Sequence, residues 1–468
     1  MERLGGARAK WLAWVAPLAA VAVHARTIGF GFTGLDDQDL VVEDHAFLAA
    51  PWSFLKAFGR AYMHVVDPGH AYYRPMVTAS YALDARWSGV NPAGYHATNV
   101  ALYAAVAWLV FALLRAFAMP PLVATGGALL FAVHPALADA VAWIPGRNDA
   151  LVAAFALAAW LLAMPRGGRE SVGRVAGCLA FAVLAALTKE TAYALPLVWF
   201  AQRLFRAATP TAVLLAAVAV VTHGTGTGGI GLAAGAAQVP VLFTSLGAIV
   251  FPVSPTVLAV RDDLTVWPGV AALAAIVAAT FLVPDVRRSV VAFGLAAFAL
   301  FLAPAMLLPG TLILDCRLVL PAIGVFIALA EIARAALEGA HADARLFAAF
   351  TAVTAVVLAA ITAGYEGAFR DGRAFAREAV AASPHSPLAH VALGEVYQRD
   401  GEDGRALAEY RAALDLAPAE VAHNNIAVLD MRAGRWSEAE GELRAEIAID
   451  PRYAVAYANL ARVLRHLG

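Results

Sequence analysis

Residues 96–117 read HATNVALYAAVAWLVFALLRAF, and Arg115 is the single formally charged side chain in this run of 22. At about 1.5 Å per residue the run makes a helix of about 33 Å, enough to cross a hydrocarbon core about 30 Å thick. Water is absent at that depth, so the backbone must satisfy itself, and a helix is the form open to a single segment. The same reading extends along the chain. Apolar segments at 11–29, 121–134, 138–164, 172–187, 191–205, 210–223, 266–283, 289–303, 319–337 and 346–363 bring the expected spans to about 11.

Composition points the same way. The chain is 61% hydrophobic and 15% charged, with mean hydropathy +0.69, against about 45–50% apolar and about 25% charged for an ordinary soluble domain. That excludes a large soluble enzyme, and so much apolar surface excludes a disordered chain. Lys and Arg number 34 and Asp and Glu 35, a net charge of -1 that gives no electrostatic case for a nucleic-acid partner. Charge is unevenly spread, since 27 of the 69 charged residues lie from Phe369 onward. The expected division is therefore a polytopic membrane domain at 1–365 and a water-soluble domain at 366–468. Cys178 and Cys316 are the two cysteines, too few for a disulfide framework or a four-thiolate metal site.

The basic residues set an expected orientation. With 1–10 in the cytoplasm as the flank of a retained first span, Arg115, 166–174, 203–206, Arg287, Arg288 and 334–345 fall on the same side. The opposite side receives 31–95, 134–138, Lys189, Glu190, 261–263, 307–317 and the carboxyl-terminal domain. Residues 239–252 are apolar but short, and counting them as a span would move Arg287 and Arg288 outside, so a re-entrant or interfacial segment is expected. The Gly-rich stretch 224–235 follows no strand and lacks the Lys-Ser/Thr of a nucleotide loop, so it reads as a flexible outer loop. The Ala-rich composition suggests a bacterial plasma membrane.

The soluble part repeats. Pro384, Pro418 and Pro451 lie 34 and 33 residues apart. Before Pro418 come His390, Leu393, Gly394, Tyr397, Ala406, Tyr410 and Ala413, the tetratricopeptide pattern with His390 in place of Trp. A second unit has Ile426, Ala427, Gly434, Ala439 and Leu443, with Asp430 and Glu446 departing from the usual apolar and small residues. A third stops after one helix. Small residues let paired helices approach and Pro ends the second one, so a short α-solenoid is expected. Such arrays bind peptides or partner proteins, or only cap their neighbours.

Ionisable groups at membrane level are functional candidates by default, and here they gather at the outer turns. They are Asp36-Asp37, Tyr72-Tyr73-Arg74-Pro75, Gly94-Tyr95-His96 with Asn99, His134-Pro135, Trp143-Ile144 with Gly146-Arg147-Asn148-Asp149, Lys189-Glu190 and Asp315-Cys316-Arg317. Each has a structural alternative: a loop start, a helix end, or an ion pair between neighbours such as Arg147 and Asp149.

Taken together these blocks resemble the multispan glycosyltransferases of the GT-C superfamily. More narrowly, the chain is similar to the transmembrane and tetratricopeptide-repeat O-mannosyltransferases and their bacterial relatives, over essentially its whole length and in the same domain order. The block from His134-Pro135 to Arg147 and Asp149 is the most specific. The family's late Arg-Tyr-Leu-Tyr-Leu-Pro reads Arg317-Leu318-Val319-Leu320-Pro321 here, and the repeats are few. The resemblance implies transfer of a sugar, a hexose such as mannose, from a polyprenyl-phosphate carrier to a hydroxyl of a protein or glycan acceptor outside the cytoplasm, with inversion. It implies Asp36, with Asp37 beside it, as the catalytic base. It implies Arg74, Arg147, Lys189 and Arg317 as ligands of the donor phosphate, with His96, His134, Asp149 and Glu190 completing the substrate site. No metal ligand set is read, and the superfamily contains members with and without a divalent ion. The competing reading is a non-catalytic membrane scaffold displaying repeats for envelope assembly, which would need no charges at membrane depth.

Overall fold

The computed structural model describes residues 2–62, 73–165, 171–223, 238–252, 256–307, 315–339 and 343–468, with side chains omitted at 2–10, 205, 220–223, 315 and 316. The Gly-rich stretch 224–235 and Tyr72 lie outside the described residues. Regular structure among the described residues is all helical, in two compact units. The first comprises Met1–Pro255, Thr265–Gly310 and Asp315–Arg370, and the second Thr256–Leu264, Thr311–Leu314 and Asp371–Gly468.

In the first unit the principal helices are α1 (Glu2–His24), α2 (Pro75–Ser88), α3 (Pro92–Ala116), α4 (Pro121–Ala132), α5 (Arg147–Ala163), α6 (Val172–Ala186), α7 (Leu195–Ala201) and α8 (Phe205–His223). They are followed by α9 (Val239–Val250), α10 (Trp267–Leu282), α11 (Arg288–Leu307), α12 (Val319–Glu338) and α13 (Ala344–Glu366). Among the described residues five helices are long and apolar enough to cross a membrane: Trp11–Gly29, Pro92–Ala116, Arg288–Leu307, Val319–Glu338 and Ala344–Phe369. Several other expected spans are short or broken. The segment at 121–134 ends at a bend of 63° between Pro121–Ala132 and Pro135–Ala142. Pro135 has no N–H to continue the helix and disfavours helical backbone at His134, which is extended at φ -82°, ψ 123°. The segment at 191–205 is a turn, Glu190–Ala194, and then the seven-residue α7. The 12 residues of α9 pack along α10 and rise only about 18 Å, short of a bilayer core.

Helix α12 is the axis of this unit, 78% of its apolar window being buried. It packs on α11, α4 and α5. Helices α11 and α12 meet at Gly294 and Gly324, where a Cβ on either would lie 2.4–2.5 Å from the other's carbonyl oxygen. Lipid tails give no hydrophobic drive for helix pairing, so such close backbone approach supplies packing energy instead. Glu331 of α12, fully buried, accepts from the Arg287 backbone N–H at 2.7 Å, its Nε at 2.9 Å and the Arg334 Nε at 2.9 Å. Near the other end of the bundle the Gly31 N–H donates to the Arg370 carbonyl at 2.9 Å.

The second unit stacks α14 (Gly372–Ala382), α15 (Pro387–Arg399), α16 (Asp403–Leu416), α17 (Ala422–Arg432), α18 (Trp436–Ile449) and α19 (Ala454–Leu467), each against the next. Ala406, Tyr410 and Ala413 of α16 share a buried cluster with Val391 of α15 and Ile426 of α17. His390, at the Trp position, links its Nδ1 to Glu409 Oε2 at 2.7 Å and its Nε2 to the Pro384 carbonyl at 3.2 Å. The two departures also have uses. Asp430 accepts two bonds from Arg435, at 2.8 and 2.6 Å. Buried Glu446 accepts from the backbone N–H groups of Val421 and Asn424, at 2.7 and 3.0 Å, which begin α17. In the same unit the His385 N–H donates to Asp263 Oδ1 at 3.0 Å.

Candidate active site

The site is built where the chain leaves α1. Gly34 (φ +84°) and Leu35 (φ +47°) are both left-handed, an unfavourable geometry for leucine that packing must hold in place. Asp36 and Asp37 follow directly and part company. Asp37 is buried, and its Oδ2 accepts from the Thr33 N–H at 2.6 Å and the Thr33 hydroxyl at 2.7 Å. The indole N–H of Trp143, from the His134–Asp149 block, donates to the same hydroxyl at 3.1 Å. Asp36 is half-buried and makes no hydrogen bond among the described residues. One carboxylate is thus built into the wall and its neighbour is left available.

Arg74 stands just before Pro75, the first residue of α2, where a missing N–H costs nothing. Its guanidinium grips Glu190 at two points, Nε to Oε1 at 3.3 Å and Nη2 to Oε2 at 2.9 Å, and lies 5.4 Å from the centre of the Tyr62 ring. Lys189 Nζ reaches Asp149 Oδ2 at 2.5 Å and Asn148 Oδ1 at 3.1 Å. Arg147 is fully buried beneath them. It pairs with Asp84 of α2 at 2.6 Å and donates to Asn99 Oδ1 at 2.6 Å and the Tyr95 carbonyl at 2.7 Å. Gly146 makes this turn possible, since a Cβ there would lie 2.2 Å from the Asp139 carbonyl oxygen.

The other candidates stand at different places. His134 is held on both ring nitrogens: Nε2 to the Ile249 carbonyl at 2.8 Å and Nδ1 to the Ala136 N–H at 3.3 Å. His96 turns its Nε2 toward the Gly31 carbonyl at 3.4 Å, and its buried Nδ1 has no partner among the described residues. Arg317 is half-buried with no hydrogen bond or ion pair among the described residues. Its turn, Asp315–Leu318, packs against Pro135–Leu137, Asp139–Ala142 and α5.

Asp36, Tyr62, Arg74, Asn148, Asp149, Lys189 and Glu190 therefore form one electrostatically linked group. Arg147 and His134 bind protein groups instead. Burial pushes the Asp36 carboxyl above its ordinary range, and the Arg74 cation pulls it partly back. Burial lifts Asp37 to about 7, against the two Thr33 hydrogen bonds and with the negative Asp36 adding to the rise. For Glu190 burial works against the charge, but Arg74 overcomes it and holds the carboxyl down at about 2. No cluster of three or more His, Cys, Asp or Glu suited to a metal ion occurs among the described residues.

Three partners were not singled out from the sequence: Thr33, Tyr62 and Asp84. Asn99 was quoted with Gly94-Tyr95-His96, but Asp84 reads as an ordinary polar residue of a short helix. Its burial beside Arg147 was the signal, and that is visible only once Arg147 is placed.

Fold and site together define a polytopic helical membrane protein with an ionised cluster off its first helix. No family model matches the chain. Over 190 residues it is 32% identical to protein O-mannosyl-transferase Tmtc1 of Drosophila melanogaster, a match covering 39% of this chain and 22% of that protein. It is 29% identical over 138 residues to TMTC2 of Homo sapiens, covering 29% of this chain and 16% of that protein. A third relative, TMTC1 of Mus musculus, is 39% identical over 93 residues, 20% of this chain and 10% of that protein. The chain thus spans about a fifth or less of the length of these relatives, whose names support a glycosyltransferase role.

Proposed function

We propose that the chain is a GT-C-type membrane glycosyltransferase that moves a hexose such as mannose from a polyprenyl-phosphate carrier to a hydroxyl on an extracytoplasmic protein. In this reading about eleven segments enter or cross the membrane, the amino terminus is cytoplasmic, and the carboxyl-terminal helices are tetratricopeptide repeats outside. The observation that carries the reading is the half-buried Asp36, with no hydrogen bond among the described residues, beside the Arg74–Glu190 pair, in a chain whose relatives are named O-mannosyl-transferases.

The acceptor oxygen attacks the anomeric carbon as its proton passes to the Asp36 carboxylate. The bond from that carbon to the phosphate oxygen breaks on the opposite face, which inverts the configuration, and the lipid phosphate leaves with the electron pair. Arg317, unpaired among the described residues, supplies a bidentate cation for the leaving phosphate. Arg74 and Lys189, each already beside a carboxylate, contribute field and position. Asp37 holds the loop through Thr33.

The test is transfer by the purified protein in liposomes containing polyprenyl-phosphate mannose and an acceptor peptide. Asp36→Asn is expected to lower transfer by about 10²–10⁴-fold, the usual range for a lost general base, with the protein still folded in the membrane. Full activity in that variant would remove Asp36 as base.

A further inference from the structure

Near the far end of α5 from Arg147 lies a cavity of about 360 Å³ among α5, α6 and the start of α8. Leu162, Val175 and Leu179 give it apolar walls, and Arg174, Arg203 and Arg206 line it with no Asp or Glu among the lining residues. Arg174 donates to the carbonyls of Leu162 and Met164 at 2.8 and 2.6 Å, closing the end of α5, while its buried Nε has no partner among the described residues. Arg203 and Arg206 are exposed and make no ion pair or hydrogen bond through their side chains among the described residues. Arg203 also holds φ +64°, a left-handed position after α7 where glycine would be unstrained. A strained arginine in place of glycine points to a use for the side chain.

Length separates this cavity from the candidate active site. The 17 residues of α5 span about 25 Å, so its Leu162 end lies well away from its Arg147 end, and in the proposed topology it lies on the cytoplasmic side. At that end the cavity joins two guanidinium groups, those of Arg203 and Arg206, without an ion pair among the described residues, to apolar walls. A free anion has no use for the walls, and a neutral tail has none for the cations. We propose that this cavity binds an anionic phospholipid, its phosphate held by Arg203 and Arg206 and the upper methylenes of one acyl chain lying against Leu162, Val175 and Leu179. Basic pockets between membrane helices recognise anionic headgroups on this physical ground.

The test is mass spectrometry of the intact full-length protein in detergent, with phosphatidylglycerol or phosphatidylcholine of the same chain length added. The wild type is expected to carry phosphatidylglycerol preferentially, and Arg203→Gln/Arg206→Gln to lose about fivefold of that preference for each guanidinium removed. Arg288→Gln/Arg345→Gln, an equal charge change elsewhere, should keep it. Ala207→Trp, which fills the cavity and retains the cations, should lose the adduct as well. Equal adducts of the two lipids, or an unaltered preference in the Arg203/Arg206 variant, would overturn the proposal. Displacement of phosphatidylglycerol by millimolar inorganic phosphate would overturn it too, in favour of a site for a soluble anion.

Discussion

Asp36 and Asp37 are adjacent in sequence yet differ in what surrounds them. A carboxylate that must take a proton has to be ionised and reachable, and Asp36 meets the second condition where Asp37, bonded twice to Thr33, does not. Because burial raises Asp36 and Arg74 opposes the rise, transfer should increase with pH through an acid limb above the ordinary carboxylate range. Arg74→Gln removes the opposing cation, so it should move that limb to higher pH, as a pH series of kcat/KM would read. Asp37 gives a stability effect instead. Its folded value, about 7, exceeds the unfolded value of about 3.9. The folded state therefore binds more protons between them, and its stability falls as pH rises through that window. Asp37→Asn should flatten this fall and raise the melting temperature at pH 8 by a few degrees; an unchanged pH profile would contradict it. Arg147 and Arg317 should separate as well. Arg147→Gln strands Asp84 in the interior at a cost of about 3–5 kcal/mol and should deplete folded protein, whereas Arg317→Gln should leave its amount unchanged and weaken use of the donor. The sequence marked both arginines as unusual at membrane depth. It could not tell them apart, because Asp84, Asn99 and Tyr95, which bind the first, are brought to it only by the packing of α2 and α3 against α5.

At the scale of elements, the long apolar helices and the helical character of the carboxyl-terminal part were legible, since both are local patterns. The breaks were less so. Pro135 marked a helix end, but nothing local said that the His134 ring would cap the turn and reach Ile249, 115 residues away. The repeat helices show the reverse case, in which apparent defects of pattern are contacts. His423 bonds Glu442 at 2.5 Å, as His390 bonds Glu409 at 2.7 Å, each residue 33 positions after its counterpart. A histidine–glutamate bridge thus recurs at a spacing of 33 residues. Glu446 carries more, because it satisfies two N–H groups at the start of α17. Glu446→Ala should leave them unbonded at about 1–3 kcal/mol, and amide hydrogen exchange of the full-length protein should show lost protection at Val421 and Asn424 with α14 unaffected.

For the whole molecule, two long-range hydrogen bonds impose an arithmetic of parity. Gly31 bonds Arg370, and Asp263 bonds His385, while the polar stretch from Arg370 to His385 holds no apolar run able to cross. In the proposed topology all four residues face one compartment. A chain that starts and ends in the same compartment has crossed an even number of times, both between Gly31 and Asp263 and between Asp263 and Arg370. The second leg has four apolar helices, α10 to α13. The first has six expected crossings, and α9 would make seven, so α9 can traverse only if another segment before it does not. Reporter fusions after Gly31, at Asp262 and at Gly468 should accordingly agree with one another, whichever compartment they report. A single dissenting fusion would break the rule, and the interval in which it fell would name the segment that had been miscounted.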